Sequence, residues 1–377
     1  MPIYDISPTW RTEVQNKARG AIPTCDNSSI SGDLVAWNQF KTLLEKSKNN
    51  GTTFSRGIVS TYSFVYTVSG GGYFGGVLAP NGDIHFVPKL GAVGQKVSSS
   101  GVVSTYSLVY TTSNAYAGGA LTPNGDIHFV PLNANRGQKV DINGFVSTYS
   151  LIYTAGNAYY GGILAPNGDI HFIPFSGRVG QKISLAGVVS TYSLVYSASL
   201  AYNGGVLAPN GDIHFIPHFA NRGQKINING FVSTYSLVYT AGGAYSGGVL
   251  TPNGDIHFVP TSANIGQKIN INGVVSTYSL VYTTSSAYNS GVLAPNGDVH
   301  FIPRAANRGQ KVDINGVVST YTLLRTDISG AYTGGVLTPN GDVHFIPFVG
   351  AVGQKISTLP AKPLNIGLCC SPFLNKF

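Results

Sequence analysis

Charged residues are scarce in this chain of 377 residues, making up 10% of it, and no glutamate occurs beyond Arg56. Glycine, in contrast, occurs 48 times, tyrosine 22 times and phenylalanine 18 times. So little helix-favouring glutamate, together with so much glycine and aromatic residue, is typical of turn-rich β structure rather than of helices or disorder.

Cysteine is nearly absent, and the three copies, Cys25, Cys369 and Cys370, lie near the ends of the chain. An odd number argues against a disulfide framework and against a four-ligand zinc site. Free thiols are the expectation, with one bridge from Cys25 to the tail as the alternative. Long apolar runs are also missing, since no stretch approaches the roughly 18 apolar residues of a membrane span. We therefore expect no membrane insertion, and no signal peptide is readable at the N-terminus.

The net charge of +8 invites a nucleic-acid partner. However, the lysines and arginines recur singly at a fixed spacing, apart from a short stretch around Lys41 to Lys48. Evenly dispersed charge usually serves solubility or local ion pairing, so we expect no nucleic acid.

Internal repetition dominates the sequence. The run Pro-Asn-Gly-Asp-Ile/Val-His-Phe appears seven times, each time followed by Gly-Gln-Lys, and Ser-Thr-Tyr also appears seven times. The repeated acidic and imidazole positions are Asp83, His85, Asp126, His128, Asp169, His171, Asp212, His214, Asp255, His257, Asp298, His300, Asp342 and His344. A repeat period of 43 residues is the length of a propeller blade.

One repeat unit predicts four strands. The glycine-rich segment Gly204 to Ala208 is followed by a Pro-Asn-Gly turn, for which Asn-Gly predicts type I′ geometry, and by a return strand at Asp212 to Pro217. A third strand at Gln224 to Ile228 and a longer fourth strand at Phe231 to Tyr239 complete the unit. The glycine pair indicates that the first strand is innermost, because blades crowd together near the axis.

The chain therefore predicts an all-β, seven-bladed β-propeller of four-stranded blades, with a solenoid as the weaker alternative. The early strand Ile58 to Tyr66 is expected to complete the last blade beside Gln354 to Ile356 and so close the ring. Three parts follow: an N-terminal extension, 1–56, with a helix at 33–48; the propeller, 57–357; and an irregular C-terminal tail, 358–377.

The run at Tyr202 to Pro217, Tyr-x-Gly-Gly-Val-Leu-Ala-Pro-Asn-Gly-Asp-Ile-His-Phe-Ile-Pro, resembles the unit of a propeller-type repeat family of microbial surface proteins and virions. The tail from Leu359 to Phe377 is similar to the ends of repeat proteins from viruses of marine microbes. The resemblance implies a virion surface or the extracellular face of a particle. The tryptophan-aspartate and kelch propeller families do not match, because no repeat contains tryptophan.

The repeated polar residues are interpreted as structural. Each histidine is expected to bond a Ser or Thr of the Ser-Thr-Tyr strand. Each Asp and the Lys 13 residues later are expected either to pair or to hydrogen-bond turns. No unit supplies a second His or a Cys for a metal, so neither metal nor cofactor is expected. Nearly all carboxylates of the ring are one residue repeated, which predicts that the protein is not an enzyme.

Variation among the units gathers in the loops before the first strand and after the second, which emerge on one side of the ring. This side is the candidate binding face, with drift at unconstrained positions as the alternative interpretation. Its candidate residues are Phe74, Tyr160, Asn203, Asn289, Lys89, Phe175, His218, Arg304, Phe348, Arg136, Arg222 and Arg308.

The functional hypothesis is a virion surface or appendage protein, a fibre or spike, that binds a protein or glycan receptor or other virion proteins. The alternatives are a multivalent lectin-type propeller and an intracellular interaction scaffold. The terminal segments are expected either to attach the protein to the particle or to plug the channel.

Overall fold

The computed structural model describes residues 59–67, 71–324, 330–339, 341–349 and 352–358. These residues form seven separate four-stranded antiparallel sheets and contain no helix. The predicted seven-bladed β-propeller is confirmed. The helix predicted at 33–48, the extension 1–56, all three cysteines and the tail from Leu359 lie outside the described residues.

The strand bounds repeat with the sequence unit. The innermost strands are β2 (Tyr73–Leu78), β6 (Tyr116–Leu121), β10 (Tyr159–Leu164), β14 (Tyr202–Leu207), β18 (Tyr245–Leu250), β22 (Tyr288–Leu293) and β26 (Tyr332–Leu337). The second strands are β3 (Ile84–Pro88), β7 (Ile127–Pro131), β11 (Ile170–Pro174), β15 (Ile213–Pro217), β19 (Ile256–Pro260), β23 (Val299–Pro303) and β27 (Asp342–Pro347). The third strands are β4 (Val93–Val97), β8 (Arg136–Val140), β12 (Val179–Ile183), β16 (Arg222–Ile226), β20 (Ile265–Ile269), β24 (Arg308–Val312) and β28 (Val352–Ser357). The outermost strands are β5 (Val103–Ser107), β9 (Val146–Ser150), β13 (Val189–Ser193), β17 (Val232–Ser236), β21 (Val275–Ser279), β25 (Val318–Thr322) and β1 (Val59–Ser63).

The ring closes as the sequence predicted. Strand β1 pairs antiparallel with β28, with Val59 opposite Ile356 and Tyr62 opposite Gly353. The sheet order β1-β28-β27-β26 therefore joins the first strand of the described chain to the last blade.

A glycine pair in six of the seven innermost strands permits the blades to approach one another, and β22 has Ser290 in place of the first glycine. A Cβ atom added at Gly118, where φ is +86°, would lie 2.8 Å from the Cα of Gly161 in the next blade. At Gly205 it would lie 2.7 Å from Ile173 of the preceding blade. Side chains at either kind of position would push neighbouring blades apart, which explains why this strand is innermost.

The Pro-Asn-Gly turn is not the predicted type I′ turn. Only its glycine has a positive φ, +85° at Gly211, while Asn210 does not. The Gly211 N–H donates to the carbonyl of Ala208, and the Ala208 N–H donates to that of Asp212. This is a type I turn followed by a left-handed glycine, because Pro209 fixes the negative φ that the first turn position requires.

The third and fourth strands also differ from their predicted limits. The third begins at Arg222 rather than Gln224, and the fourth ends at Ser236 rather than Tyr239. Alternating exposure in 237–240 imitates a strand, but this segment already leads to the next blade.

Candidate functional site

The antiparallel order places the connections on two faces. The loops after the second and fourth strands of each blade, such as 218–221 and 237–244, emerge on what we call the loop face. The turns after the first and third strands, such as 208–212 and 227–231, emerge on what we call the turn face.

The repeated Asp and Lys pair within every blade, as the sequence predicted. The Nζ to Oδ2 distances are 2.5 to 2.6 Å in all seven blades. Each carboxylate is buried, whereas each lysine keeps about a third of its side chain exposed. These pairs neutralise seven lysines, so the net positive charge of the ring comes from other residues.

The repeated histidines bond a tyrosine, not the Ser or Thr that the sequence predicted. In six blades the His Nδ1 shares a hydrogen bond with the tyrosine hydroxyl of Ser-Thr-Tyr, at 3.2 to 3.3 Å. In the sheet, Lys225 lies between His214 and Ser233, whereas Gly223 has no side chain and leaves room for the ring of Tyr235. Burial lowers the pKa of His214 to about 4, and the charge of Lys225 adds to this effect.

Blade seven is an exception to this pattern. The ring centroids of Tyr62 and His344 lie 5.5 Å apart, but neither the Tyr62 hydroxyl nor the His344 Nδ1 has a hydrogen-bond partner among the described residues. The blade that joins the two ends of the propeller therefore lacks the histidine–tyrosine hydrogen bond of the other six.

Sequence reasoning missed the role of the glutamine in Gly-Gln-Lys. Gln224 is fully buried, and its Oε1 accepts hydrogen bonds from the N–H groups of Val195 and Tyr196 at 3.1 and 2.8 Å. Its Nε2 donates to the carbonyl of Tyr196. Because Tyr196 belongs to the preceding blade, this glutamine fastens each blade to its neighbour. Its invariance in all seven units was the available signal.

Two sets of side chains surround the axis on the loop face, and we call them together the mouth. The inner set follows the first tyrosine of each blade and consists of Phe74, Ala117, Tyr160, Asn203, Ser246, Asn289 and Thr333. The outer set follows each second strand and consists of Lys89, Leu132, Phe175, His218, Thr261, Arg304 and Phe348. A main-chain hydrogen bond joins the outer set to the next blade, as where the Ala201 N–H donates to the Phe175 carbonyl, and His218 adds a side-chain bond to the Tyr245 carbonyl. The main-chain bond does not depend on the side chain, so the side chains can differ without loss of it.

One half of the mouth is aromatic. Phe74 of blade one contacts Tyr160 of blade three, edge to face, with centroids 4.9 Å apart, and Phe348 of blade seven at 5.8 Å. Tyr160 in turn contacts Phe175 at 5.1 Å. Phe175 and Phe348 are only half-buried, so they present ring surface to solvent.

The other half of the inner set is polar. The Asn289 amide donates to the carbonyl of Thr333 at 2.7 Å, and the Ser246 hydroxyl lies 3.4 Å from the Asn289 side-chain oxygen. Asn203 and Asn289, both predicted as binding residues, are buried at 7% and 5% exposure. Their side chains line the depth of the mouth rather than its rim.

The outer set contains three titratable groups, Lys89, His218 and Arg304. The Lys89 Nζ lies 4.6 Å from the ring centroid of Phe348 and 5.0 Å from that of Phe74. Burial lowers the pKa of Lys89, and the charge of Arg304 lowers it further. The imidazole of His218 is fixed by a 2.8 Å hydrogen bond from Nδ1 to the carbonyl of Tyr245.

The remaining arginines lie further out on the same face. Arg136, Arg222 and Arg308 are exposed at the starts of alternate third strands, and Arg178 is exposed beside Val179. The guanidinium of Arg222 lies over the ring of Tyr196, 5.4 Å from its centroid. The structure thus separates the predicted arginines at the rim from the residues that meet at the mouth.

The charges of the described residues are segregated between the faces. Apart from the seven buried pairs, the cations are Lys89, Arg136, Arg178, Arg222, Arg304 and Arg308, all on the loop face. The carboxylates outside the pairs are Asp141 and Asp313, both in turns of the turn face. An electrostatic field of one sign therefore extends from the loop face.

The turn face carries a regular ring of exposed apolar side chains that sequence reasoning missed. It contains Val102, Ile142, Phe145, Leu185, Val188, Ile228, Phe231, Ile271, Val274, Ile314 and Val317, each at least 50% exposed. Phe145 and Phe231 are the most exposed, at 69%.

Among the described residues no group of three His, Cys, Asp or Glu side chains is placed to hold a metal ion. The same part of the chain contains no helix with the length and hydropathy of a membrane span.

The sequence matches no protein-family model and no curated protein. The fold is similar to the virginiamycin B lyase of Staphylococcus aureus, with a TM-score of 0.70 and 19% identity over 81% of this chain and 100% of the lyase chain. A streptogramin B lyase structure is similar at TM-score 0.70 and 20% identity, again over 81% of this chain and 100% of that one. An extracellular domain from B. thetaiotaomicron is similar at TM-score 0.61 and 11% identity, over 81% of this chain and 42% of that one. At these identities the likeness shows the fold.

The prediction that the protein is not an enzyme is corrected by this comparison. Lyases are built on the same ring, so a propeller of repeated blades does not argue against catalysis. The prediction was wrong because it rested only on the acid and base groups of the repeated framework. Active sites are usually formed by the varied loops.

Proposed function

We propose that the protein is a binding propeller of a virion surface or appendage, and that its loop face recognises a receptor or a neighbouring virion protein. The observation that carries the proposal is the segregation of six unpaired cations and the aromatic mouth on one face of a repeated ring. Repeat resemblance supports the virion location. The fold of extracellular domains in other proteins is compatible with it.

The lectin-type alternative, with seven equivalent sugar sites, receives less support. Equivalent sites require identical polar groups exposed on each blade. The identical Asp, His and Gln side chains are buried and bonded within or between blades. The identical Asn of the Pro-Asn-Gly turn is exposed in most blades, but its side-chain oxygen is used within the turn, as where Asn210 accepts the Asp212 N–H. The residues around the mouth differ from blade to blade.

Binding of the fluorescently labelled chain to host cells tests the proposal. The triple variant Arg136→Ser, Arg222→Ser, Arg308→Ser is expected to bind at least tenfold more weakly, because the positive field of the loop face is reduced. Its matched control is Phe145→Ser, Phe231→Ser on the turn face, which should bind like the parent chain. Equal binding by the loop-face variant, or a loss confined to the turn-face variant, would contradict the proposal.

Location is tested separately by immunogold electron microscopy of purified particles with an antibody against the chain. Labelling of the particle surface is expected. Labelling of host cytoplasm alone, with bare particles, would favour the intracellular scaffold.

A further inference from the structure

The mouth combines three features that none of the repeated framework explains: two neighbouring cations, an aromatic surface and a polar belt. We infer that the mouth is a binding site for an acidic saccharide residue, with its anionic group held by Lys89 and Arg304. The inference rests on the proposed function in placing recognition on the loop face, and it adds the chemical class of the ligand.

The position of Arg304 is the first step of the argument. It belongs to blade six and borders blade seven, because its carbonyl accepts hydrogen bonds from the N–H groups of Gly330 and Ala331. Lys89 of blade one reaches blade seven from the other side, since its Nζ lies 4.6 Å from the ring centroid of Phe348. The charge of Arg304 also lowers the pKa of Lys89, in agreement with this placement.

The like charge of the two side chains is the second observation. Neither Lys89 nor Arg304 forms an ion pair with a carboxylate of the described residues, and Asp327 in the adjoining loop lies outside them. Two half-buried cations that repel each other destabilise the unliganded mouth. An anion placed between them removes that repulsion and accepts charge-assisted hydrogen bonds from both groups.

The aromatic and polar halves of the mouth identify the rest of the ligand. A pyranose ring has an apolar face of C–H groups and an edge of hydroxyl groups. Phe348 and Phe175 offer half-exposed ring surface to the first. The hydroxyl edge would meet the donors of Lys89 and Arg304, which are also half-buried, because Asn203, Ser246 and Asn289 are only 7%, 1% and 5% exposed. Apolar walls with a few placed polar groups are the usual construction of small-ligand sites. An acidic peptide would instead need cations in a row along a groove.

Isothermal titration calorimetry with defined saccharides tests the inference. The carboxylate probes are 3′-sialyllactose and glucuronic acid, with lactose and glucose as neutral counterparts, and a sulfated galactose tests the other common acidic group. Binding of at least one acidic probe is expected, with at least tenfold weaker binding of its neutral counterpart. Equal binding of charged and neutral sugars, or no binding of any acidic probe, would overturn the inference.

Variants distinguish a built site from general attraction to a positive surface. Lys89→Gln and Arg304→Gln should each weaken binding of the acidic probe at least tenfold, while the melting temperature stays within a few degrees of the parent value. The matched control is Arg178→Gln, which removes one charge from the same face away from the mouth. If Arg178→Gln weakens binding as much as Arg304→Gln, only the diffuse field is responsible and the site does not exist.

Two further outcomes are decisive. If poly-glutamate binds and loses affinity in the Lys89→Gln and Arg304→Gln variants while saccharides do not bind, the ligand is an acidic peptide and the saccharide assignment fails. If the mouth variants keep full binding to host cells while the triple rim variant loses it, the proposed function stands without this site. If neither the mouth variants nor the triple rim variant loses binding to host cells, both the proposed function and this inference are overturned.

Discussion

The loop face and the turn face are formed by the same repeat, but different hydrogen bonds recur on them: main-chain bonds on the loop face and side-chain bonds on the turn face. On the loop face the bond that recurs between the outer set and the next blade joins main-chain atoms, as from the Ala201 N–H to the Phe175 carbonyl. Side-chain bonds there, such as that from the Leu200 N–H to the Ser176 hydroxyl, occur only in some blades. On the turn face side chains form the turns: the Asn227 side chain accepts hydrogen bonds from the N–H groups of Asn229 and Phe231. Side chains that build the backbone must recur, whereas side chains that do not are free to acquire individual roles.

The largest expected effect is the pH dependence of stability caused by the repeated histidines. If these histidines were not buried structural groups, the contrast between the repeated framework and the varied loops would be lost. Burial lowers the pKa of each from 6.5 to about 4 in the folded chain. Between these two values the unfolded chain takes up protons that the folded chain does not, so stability falls as the pH decreases from 6.5 to 4. One unit of pKa difference is worth about 1.4 kcal/mol per histidine, so even one unit at each of the seven sites gives roughly 10 kcal/mol in total.

Chemical denaturation at a series of pH values measures this effect. The free energy of unfolding should decrease steeply between pH 6.5 and 4, and less steeply in a His214→Phe, His257→Phe double variant. A flat profile over that range would mean that the histidines are not buried as neutral groups.

The second effect concerns the glutamine between blades. Gln224→Ala removes three hydrogen bonds and leaves the main-chain groups of Val195 and Tyr196 without them. We expect the free energy of unfolding to fall by about 3 kcal/mol, from unsatisfied buried groups and a cavity. Thermal unfolding monitored by circular dichroism measures it. Asn221→Ala, on the exposed loop beside it, is the control and should cost less than about 0.5 kcal/mol.

A smaller effect compares the faces directly. Asp141→Ala on the turn face removes the acceptor for the N–H groups of Asn143 and Phe145, which should cost about 1 to 2 kcal/mol. Arg222→Ser on the loop face removes an exposed side chain and should change stability by less than about 0.5 kcal/mol. Urea denaturation of the two variants ranks them. The opposite order would show that loop-face side chains also support the fold.

The smallest effect is expected at the apolar ring of the turn face. Phe231 is 69% exposed, so Phe231→Ser removes little buried surface and should leave the free energy of unfolding within about 0.5 kcal/mol of the parent chain. Differential scanning calorimetry decides this. A loss of 2 kcal/mol or more would mean that this side chain is covered in the folded protein.

Sequence reasoning was most successful where the repeat itself carried the information. Seven similar units, a glycine pair in six of them and complementary partial units at the two ends determined the blade number, the innermost strand and the closure by β1. It was less successful where two local patterns look alike. Asn-Gly suits a type I′ turn, but Pro209 before it selects a different turn, and 237–240 alternates like a strand without pairing as one.

The candidate site was predicted only as a list of varied positions. Sequence could not show that Phe74 and Tyr160, on blades one and three, are in contact across the mouth, or that Arg136, Arg222 and Arg308 lie apart at the rim. It also could not separate Lys89 and Arg304 from the other cations, because long side chains can point in several directions from the same backbone position.

The amino-acid sequence alone determined that this protein is a ring of seven similar blades, since each strand and turn is specified locally and repeated. Only the tertiary structure decided which side chains share a site. Closing the ring brings residues from blades one, three, four, six and seven around one axis, and it turns six cations toward one face. That arrangement depends on distances between blades, which no local pattern of residues contains.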